Sequence, residues 1–225
     1  MKRIPEPELM DETSQARAYA EADFSEPNQL FLELFAEHFP GFDGNMVVDL
    51  GCGPADIAID FALCYSDARV IGVDGARAML EVGYDRIAEA GLAGQVELQC
   101  LYLEPETVKQ IIPSGSADAV ISNSLLHHLA TPDTLWQAIN YLARPGAKIL
   151  VMDLFRPPST SAAAELVTEY AGSEAPILRS DFYNSLLAAY SPDEVRNQLD
   201  EAGLQCLSVS QSSDRHLLVS GEMPS

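Results

Sequence analysis

Basic side chains are scarce. Lys and Arg number 13 against 34 Asp and Glu, a formal net charge of −21 at pH 7 over 225 residues. Nucleic-acid binding draws much of its affinity from phosphate neutralisation, so broad polyanion binding is excluded unless a local basic patch offsets the rest. The densest basic pair is Lys2-Arg3, at the start of the chain. Long apolar runs are missing too: nothing approaches the roughly 18 consecutive apolar residues of a membrane-spanning helix. The opening MKRIPEPELMDE lacks the apolar stretch of a signal peptide, so a cytoplasmic protein is expected. Cysteine is sparse and scattered. Cys52, Cys64, Cys100 and Cys206 form no CxxC pair and have no histidine at zinc-finger spacing; they are expected to be buried thiols. Internal repeats and low-complexity tracts are absent. What is present is core material: 47% hydrophobic against 21% charged residues, enough for one good-sized domain and too much for a disordered chain.

The apolar residues are patterned. QARAYAEADF and NQLFLELFAEHF read as helices, the second with Leu30, Phe31, Leu34, Phe35 and Phe39 at helical spacing, packing on the outside of a core or over its mouth. From Met46, short apolar runs (MVVDL, ARVIGVD, VELQCLYL, DAVISN, AKILVMDLF) alternate with helical segments, one of them starting with Thr131 as N-cap and Pro132 in its first turn. That alternation indicates a parallel sheet covered on both faces. Residues 156–190 read as two helices joined by a Gly/Ser/Pro turn. Ser191 and Glu194 then form a capping box, and LQCLSVS and HLLVSG close the chain as an antiparallel pair.

The strongest chemical signal is VVDLGCGPADIA, residues 47–58: a strand, a glycine-rich turn and a helix start. Gly51 and Gly53 permit a sharp turn and close backbone approach to a ligand. The position where a dinucleotide fingerprint needs its third glycine is Asp56, and an acid there is poor company for a pyrophosphate. Asp49, just before the turn, equips the site to meet a cation.

These residues resemble motif I of the class I S-adenosylmethionine-dependent methyltransferases, with Ala55 where a third glycine is usual. The resemblance implies a Rossmann-like α/β fold: a seven-stranded mostly parallel sheet with its last strand antiparallel, helices on both faces and a helical cap. It implies S-adenosylmethionine as cofactor, with Asp49 facing the amino group of its methionine part and the backbone of Gly51, Cys52, Gly53 and Pro54 alongside. Asp74 ends the second strand, where a carboxylate can accept both ribose hydroxyls; Gly75 and Met79 are expected to flank ribose and adenine. Similar proteins often place an acid after the third strand. Here the alignment puts Tyr102 there, followed by Leu103, either against the adenine or as a plain core aromatic. DAVISNSLLHHL resembles the fourth-strand motif, making Asn123, Ser124 and Leu125 candidates for methionine and substrate contacts. Tyr19 is similar to a tyrosine that closes over the cofactor in related enzymes.

Methyl transfer needs alignment and desolvation more than elaborate chemistry, with a base where the nucleophile is a hydroxyl or an ammonium. His127, His128 and Asp153 are the catalytic candidates; capping the sheet and packing a helix are the alternatives for the two histidines. Arg156, Arg179, Asp181, Tyr183, Asn184 and Tyr190 are the substrate candidates, each also readable as surface or packing. No acid and histidine cluster has metal-ligand spacing, so metal-independent transfer to a nitrogen, oxygen or sulfur of a small molecule is expected. The division expected is 1–44 as N-terminal helices covering the site, 45–155 with 191–225 as the core, and 156–190 as a helical cap insertion. The rivals are a tRNA or rRNA methyltransferase, which would normally bring a basic surface or an RNA domain; a dehydrogenase, which would want glycine at 56; and a non-catalytic protein of the same fold. Acceptor identity and oligomeric state are not written in the motifs.

Overall fold

The structure, a computed structural model, describes residues 1–5, 22 and 24–225. Tyr19 and nearly all of the expected first helix lie outside the described residues. In chain order the elements are α1 (Ser25–His38), β1 (Met46–Leu50), α2 (Asp56–Cys64), β2 (Arg69–Asp74), α3 (Arg77–Glu89), β3 (Val96–Cys100), α4 (Pro105–Ile111) and β4 (Ala117–Asn123). A one-turn 3-10 helix (Leu126–His128) follows, then α5 (Asp133–Leu142), β5 (Ala143–Leu154), α6 (Thr160–Ala171), α7 (Pro176–Ala188), α8 (Pro192–Glu201), β6 (Leu207–Gln211) and β7 (His216–Glu222).

Seven strands form one sheet in the order β3-β2-β1-β4-β5-β7-β6. All pairings are parallel except those of β7, which runs antiparallel to both β5 and β6. This is the mostly parallel sheet expected from the strand–helix alternation. The strands carry unbroken apolar runs because both faces are covered and successive residues point to opposite sides. Val48, Val120, Ile149 and Val151 pack on the face that holds α4, α5 and α8. Val47, Ile121, Leu150 and Met152 pack on the other, with α1, α2 and α3. The only tryptophan, Trp136, is fully buried on the first face, and its indole N–H donates to Gln198 at 3.1 Å.

Helix α1 docks through rings. Phe35 meets Phe61 of α2 edge-on with centroids 4.8 Å apart, and Phe39, Phe42 and Tyr65 complete the cluster. Helices α6 and α7 share a small core of their own around Ala163, Val167, Leu186 and Leu187, joined to the sheet through Leu154 at the end of β5.

Three local expectations need correction. Only Cys52 is buried; Cys64 ends α2, Cys100 ends the edge strand β3 and Cys206 sits in a turn, so all three are exposed. Helix α5 takes Pro132 as N-cap, and the Thr131 carbonyl accepts from the Thr134 hydroxyl at 2.9 Å. Strand β5 begins at Ala143 rather than after Pro145-Gly146: a register shift against β4 between Ala117 and Ala119, with Gly146 at φ +77, lets the extended chain absorb the break.

The chain leaves β1 toward β2 and β3, and later returns on the opposite side of β1 for β4 and β5. Such a reversal opens a crevice outside the carboxyl ends of the two central strands, where ligands of open α/β sheets bind.

Candidate active site

The cavity at that reversal is shaped by the turn after β1. Gly51 and Gly53 take φ of +75 and +52, and the Val73 carbonyl accepts from the Gly51 N–H at 2.8 Å. A Cβ on Gly51 would lie 2.8 Å from Leu125, so both torsion and space require glycine. Ala55, at the usual third-glycine position, is the N-cap of α2 at φ +67 and fully buried. A methyl-bearing residue in that conformation costs about 1–2 kcal/mol. Ser124, beyond β4, also has positive φ, at +57. Left-handed non-glycine residues cluster where a fold holds a ligand site under strain.

Two buried acceptors belonging to residues that line this cavity have no hydrogen-bond partner among the described residues. Asp49 is 2% exposed, and its Oδ2 meets no donor. Asn123 Oδ1 is in the same position. Burial, and secondarily the Asp74 carboxylate, push the pKa of Asp49 up from 3.8 to about 7. A buried polar atom left unpaired is costly, and two such acceptors on residues of one cavity suit a donor-rich cation such as an ammonium group. Asp74 is positioned by backbone donors: Gly53 N–H to Oδ2 at 2.8 Å and Ala76 N–H to Oδ1 at 2.7 Å. Burial raises its pKa, while those N–H groups and His128 pull it back in part. One lone pair per oxygen remains for a pair of hydroxyls. Burial and then the two aspartates push the Cys52 thiol well up, so it stays protonated. Asp56 also lines the cavity and pairs with Arg86.

The structure gathers Asp49, Gly51, Cys52, Gly53, Pro54, Asp74, Gly75, Met79, Tyr102, Leu103, Asn123, Ser124 and Leu125 around this one cavity. Tyr102 is 57% exposed, so it is a wall residue and not a core aromatic. A Cβ on Gly75 would come 3.4 Å from its ring, and glycine leaves the ring that room. His128 lines the cavity, whereas His127 is buried behind it with its Nδ1 2.6 Å from Asp153 Oδ1. The two imidazoles lie 4.1 Å apart.

The substrate candidates do not converge there. Arg156 donates to both carboxylate oxygens of Glu194, each at 2.8 Å, and to the Ala189 carbonyl. Burial would raise the Glu194 pKa, but hydrogen bonds from Arg156 and the Ser191 N–H bring it below its ordinary value. Tyr190 is buried, and its hydroxyl donates to the Leu129 carbonyl at 2.8 Å. Arg179 and Tyr183 border a separate shallow groove between α6 and α7, Asp181 is half-buried and Asn184 is exposed. Conversely, Phe24 and Asn28 line the cavity without a sequence signal of their own, and Leu129, at the end of the fourth-strand motif, lines it too. Among the described residues no Lys or Arg lines it, and no His/Cys/Asp/Glu group is arranged to hold a metal.

Comparison with known proteins agrees with this geometry. A family described as "Methyltransferase domain" matches residues 47–146. The chain is 27% identical over 178 residues to the ubiquinone biosynthesis O-methyltransferase of Acinetobacter baylyi, covering 79% of this chain and 71% of that protein. It is 26% identical over 183 residues to a ubiquinone/menaquinone biosynthesis C-methyltransferase of Pseudomonas entomophila, covering 79% and 70%. Its fold matches the crystal structure of an S-adenosylmethionine-dependent methyltransferase from Aquifex aeolicus with a TM-score of 0.68 at 17% identity, over 94% of this chain and 98% of that one.

Proposed function

Starting from the premise that the chain is a class I S-adenosylmethionine-dependent methyltransferase, we propose that it methylates a nitrogen, oxygen or sulfur of a small molecule, with His128 as the base that takes the acceptor's proton. The observation that carries the cofactor half is the pair of unpartnered buried acceptors, Asp49 Oδ2 and Asn123 Oδ1, at the carboxyl ends of β1 and β4. They fit the ammonium of the cofactor's methionine part. Bound there, the cofactor supplies a methyl group already activated by its sulfonium. Asp74 accepts the ribose hydroxyls, and Gly75, Met79, Tyr102 and Leu103 flank the adenine. The backbone from Gly51 to Pro54 runs beside the methionine part, and Ser124 and Leu125 border the acceptor.

Among the described residues His128 is the only imidazole lining the cavity, placed beside the strained exit of β4. His127 and Asp153 act from behind, holding the turn that carries it. A small acceptor is supported by the curated relatives, whose names place them in quinone biosynthesis, and by the net charge of −21, which repels RNA. Among the described residues no helix is long and apolar enough to cross a membrane. The exposed free thiols Cys64, Cys100 and Cys206 favour a reducing, cytoplasmic setting.

Two measurements test this reading. Calorimetry with S-adenosylhomocysteine should give one saturable site, lost in Asp74→Ala; no heat from the native protein would overturn the enzyme reading. Methyl-labelled cofactor should label a component of a metabolite extract and leave purified tRNA unlabelled. Label on tRNA alone would overturn the small-molecule acceptor.

A further inference from the structure

Arg3 is remote in sequence from every motif residue, yet its guanidinium reaches the backbone that carries His128. Nη2 donates to the carbonyls of His127, at 2.9 Å, and Leu129, at 3.1 Å. Nε donates to the carbonyl of Ala188, and the group lies 4.0 Å over the Tyr190 ring. The next residue extends the attachment: the Ile4 N–H donates to the Leu187 carbonyl at 3.0 Å. These acceptors have a common origin. Ala188 is the last residue of α7, and His127 belongs to the one-turn 3-10 helix Leu126–His128. Carbonyls at helix C-termini lack donors within the helix and carry partial negative charge, so a cation is their natural partner. Among the described residues no carboxylate is a polar partner of Arg3. A planar fork of donors joins three carbonyls from two segments, which the single ammonium of a lysine does poorly.

The same short turn is gripped from below by the buried His127–Asp153 pair. Residues held from both sides move least, and here they include His128 and Leu129 in the cavity wall.

We propose that Arg3 is a positioning residue: it clasps the Leu126–Leu129 turn against the end of α7, and so sets the place of His128 in the acceptor half of the site. This rests on the reading of His128 as the base. It makes the segment around Arg3 a working part of the site, although Arg3 itself does not line the cavity.

The test uses the full chain with Arg3→Met, which keeps the aliphatic stem, and Arg3→Lys, which keeps the charge. Three quantities are followed: S-adenosylhomocysteine affinity by calorimetry, amide hydrogen exchange, and the His128 ring resonances by NMR, assigned with His128→Asn. Affinity should change less than threefold, because Asp49 and Asp74 are carried by β1 and β2, which the Arg3 hydrogen bonds do not reach. Exchange in Leu126–Leu129 should rise at least tenfold while β1 and β4 amides stay unchanged, and the His128 ring signals should shift or broaden. Arg3→Lys should restore little of this. If Arg3→Met folds poorly, Tyr190→Phe removes the other donor to the Leu129 carbonyl and should move the same signals in the same direction, less far. Unchanged His128 resonances, or exchange rising alike throughout the chain, would overturn the proposal while S-adenosylhomocysteine still binds. Absence of binding by the native protein would instead overturn the methyltransferase reading.

Discussion

Asp49 is a carboxylate held where water cannot serve it. Its pKa is raised from 3.8 to about 7, by burial first and Asp74 second, which fixes the sign of its pH effects. For a group raised in the folded state, the associated stability is fully present below 3.8 and is lost as the pH climbs through 7. A cationic ligand group reverses the preference, since it favours the ionised carboxylate. Affinity for S-adenosylhomocysteine should therefore rise about tenfold between pH 6 and pH 8 as Asp49 ionises. Calorimetry at the two pH values checks this, with Asp49→Asn expected to bind weakly and without that dependence. Equal affinity at both values in the native protein would sink the assignment. Gly51→Ala addresses the turn beside it: an alanine at φ +75, with its Cβ 2.8 Å from Leu125, should weaken binding. It should also cost about 1–2 kcal/mol of stability on torsion alone, read by urea denaturation. Asp49, Gly51 and Asp74 were legible in the sequence because a strand end, a turn and the next strand end put chemistry at fixed local spacing. Phe24, Asn28 and Arg3 were not, because tertiary path alone brings them near, and a lone arginine or aromatic has no period to read.

The elements after β5 show how polar residues near a site can belong to the scaffold. Arg156 and Tyr190 have side chains apt for recognising a substrate, and the sequence allowed that use. The structure spends both on joining elements. Arg156 ties the end of β5 to the capping box of α8 through Glu194, and its backbone N–H donates to the Tyr190 carbonyl. A pair between partners 38 positions apart is recognisable only once the chain between them is folded. Arg156→Met should therefore lower stability by about 1–3 kcal/mol, through lost charge-assisted hydrogen bonds, while S-adenosylhomocysteine affinity stays unchanged. Urea denaturation and calorimetry on one preparation distinguish this from a substrate role, which would leave stability intact. The helices themselves were easier to read. Ser191 and Glu194 form the expected capping box, with Glu194 N–H donating to the Ser191 hydroxyl at 3.3 Å, because that signal is complete within four residues. The early start of β5 was hidden, since Pro145-Gly146 reads as a break, and only the pairing of Ala143 with Ala117 of β4 and the hydrogen bonds of Gly146 and Ala147 with Met223 tie the chain into the sheet there.

At the scale of the molecule, the sheet and the charge act together. The crevice lies between β1 and β4, so one ligand there touches both halves of the sheet: Asp49, Asp74 and Met79 on one side, Asn123 and His128 on the other. The strand order follows from the alternation of apolar runs and helices, but the inward turn of particular acids does not follow from a net charge of −21. Asp49, Asp56 and Asp74 face this crevice, and no Lys or Arg among the described residues lines it. The native state thus brings carboxylates together at the junction of its halves, a cost that a ligand's ammonium group relieves. Binding to the folded state alone stabilises it by about 2.7 kcal/mol at a hundredfold excess over the dissociation constant. For a chain of this size that corresponds to a rise in melting temperature of roughly 5–11 °C. Scanning calorimetry with S-adenosylhomocysteine at that excess should show the shift in one undivided transition, because the ligand spans both halves. Homocysteine and adenosine, added together unlinked, should give far less, since each reaches only part of the crevice and loses its own translational freedom. A split transition, with only part of the heat moving, would place the ligand on one half and overturn the bridging site.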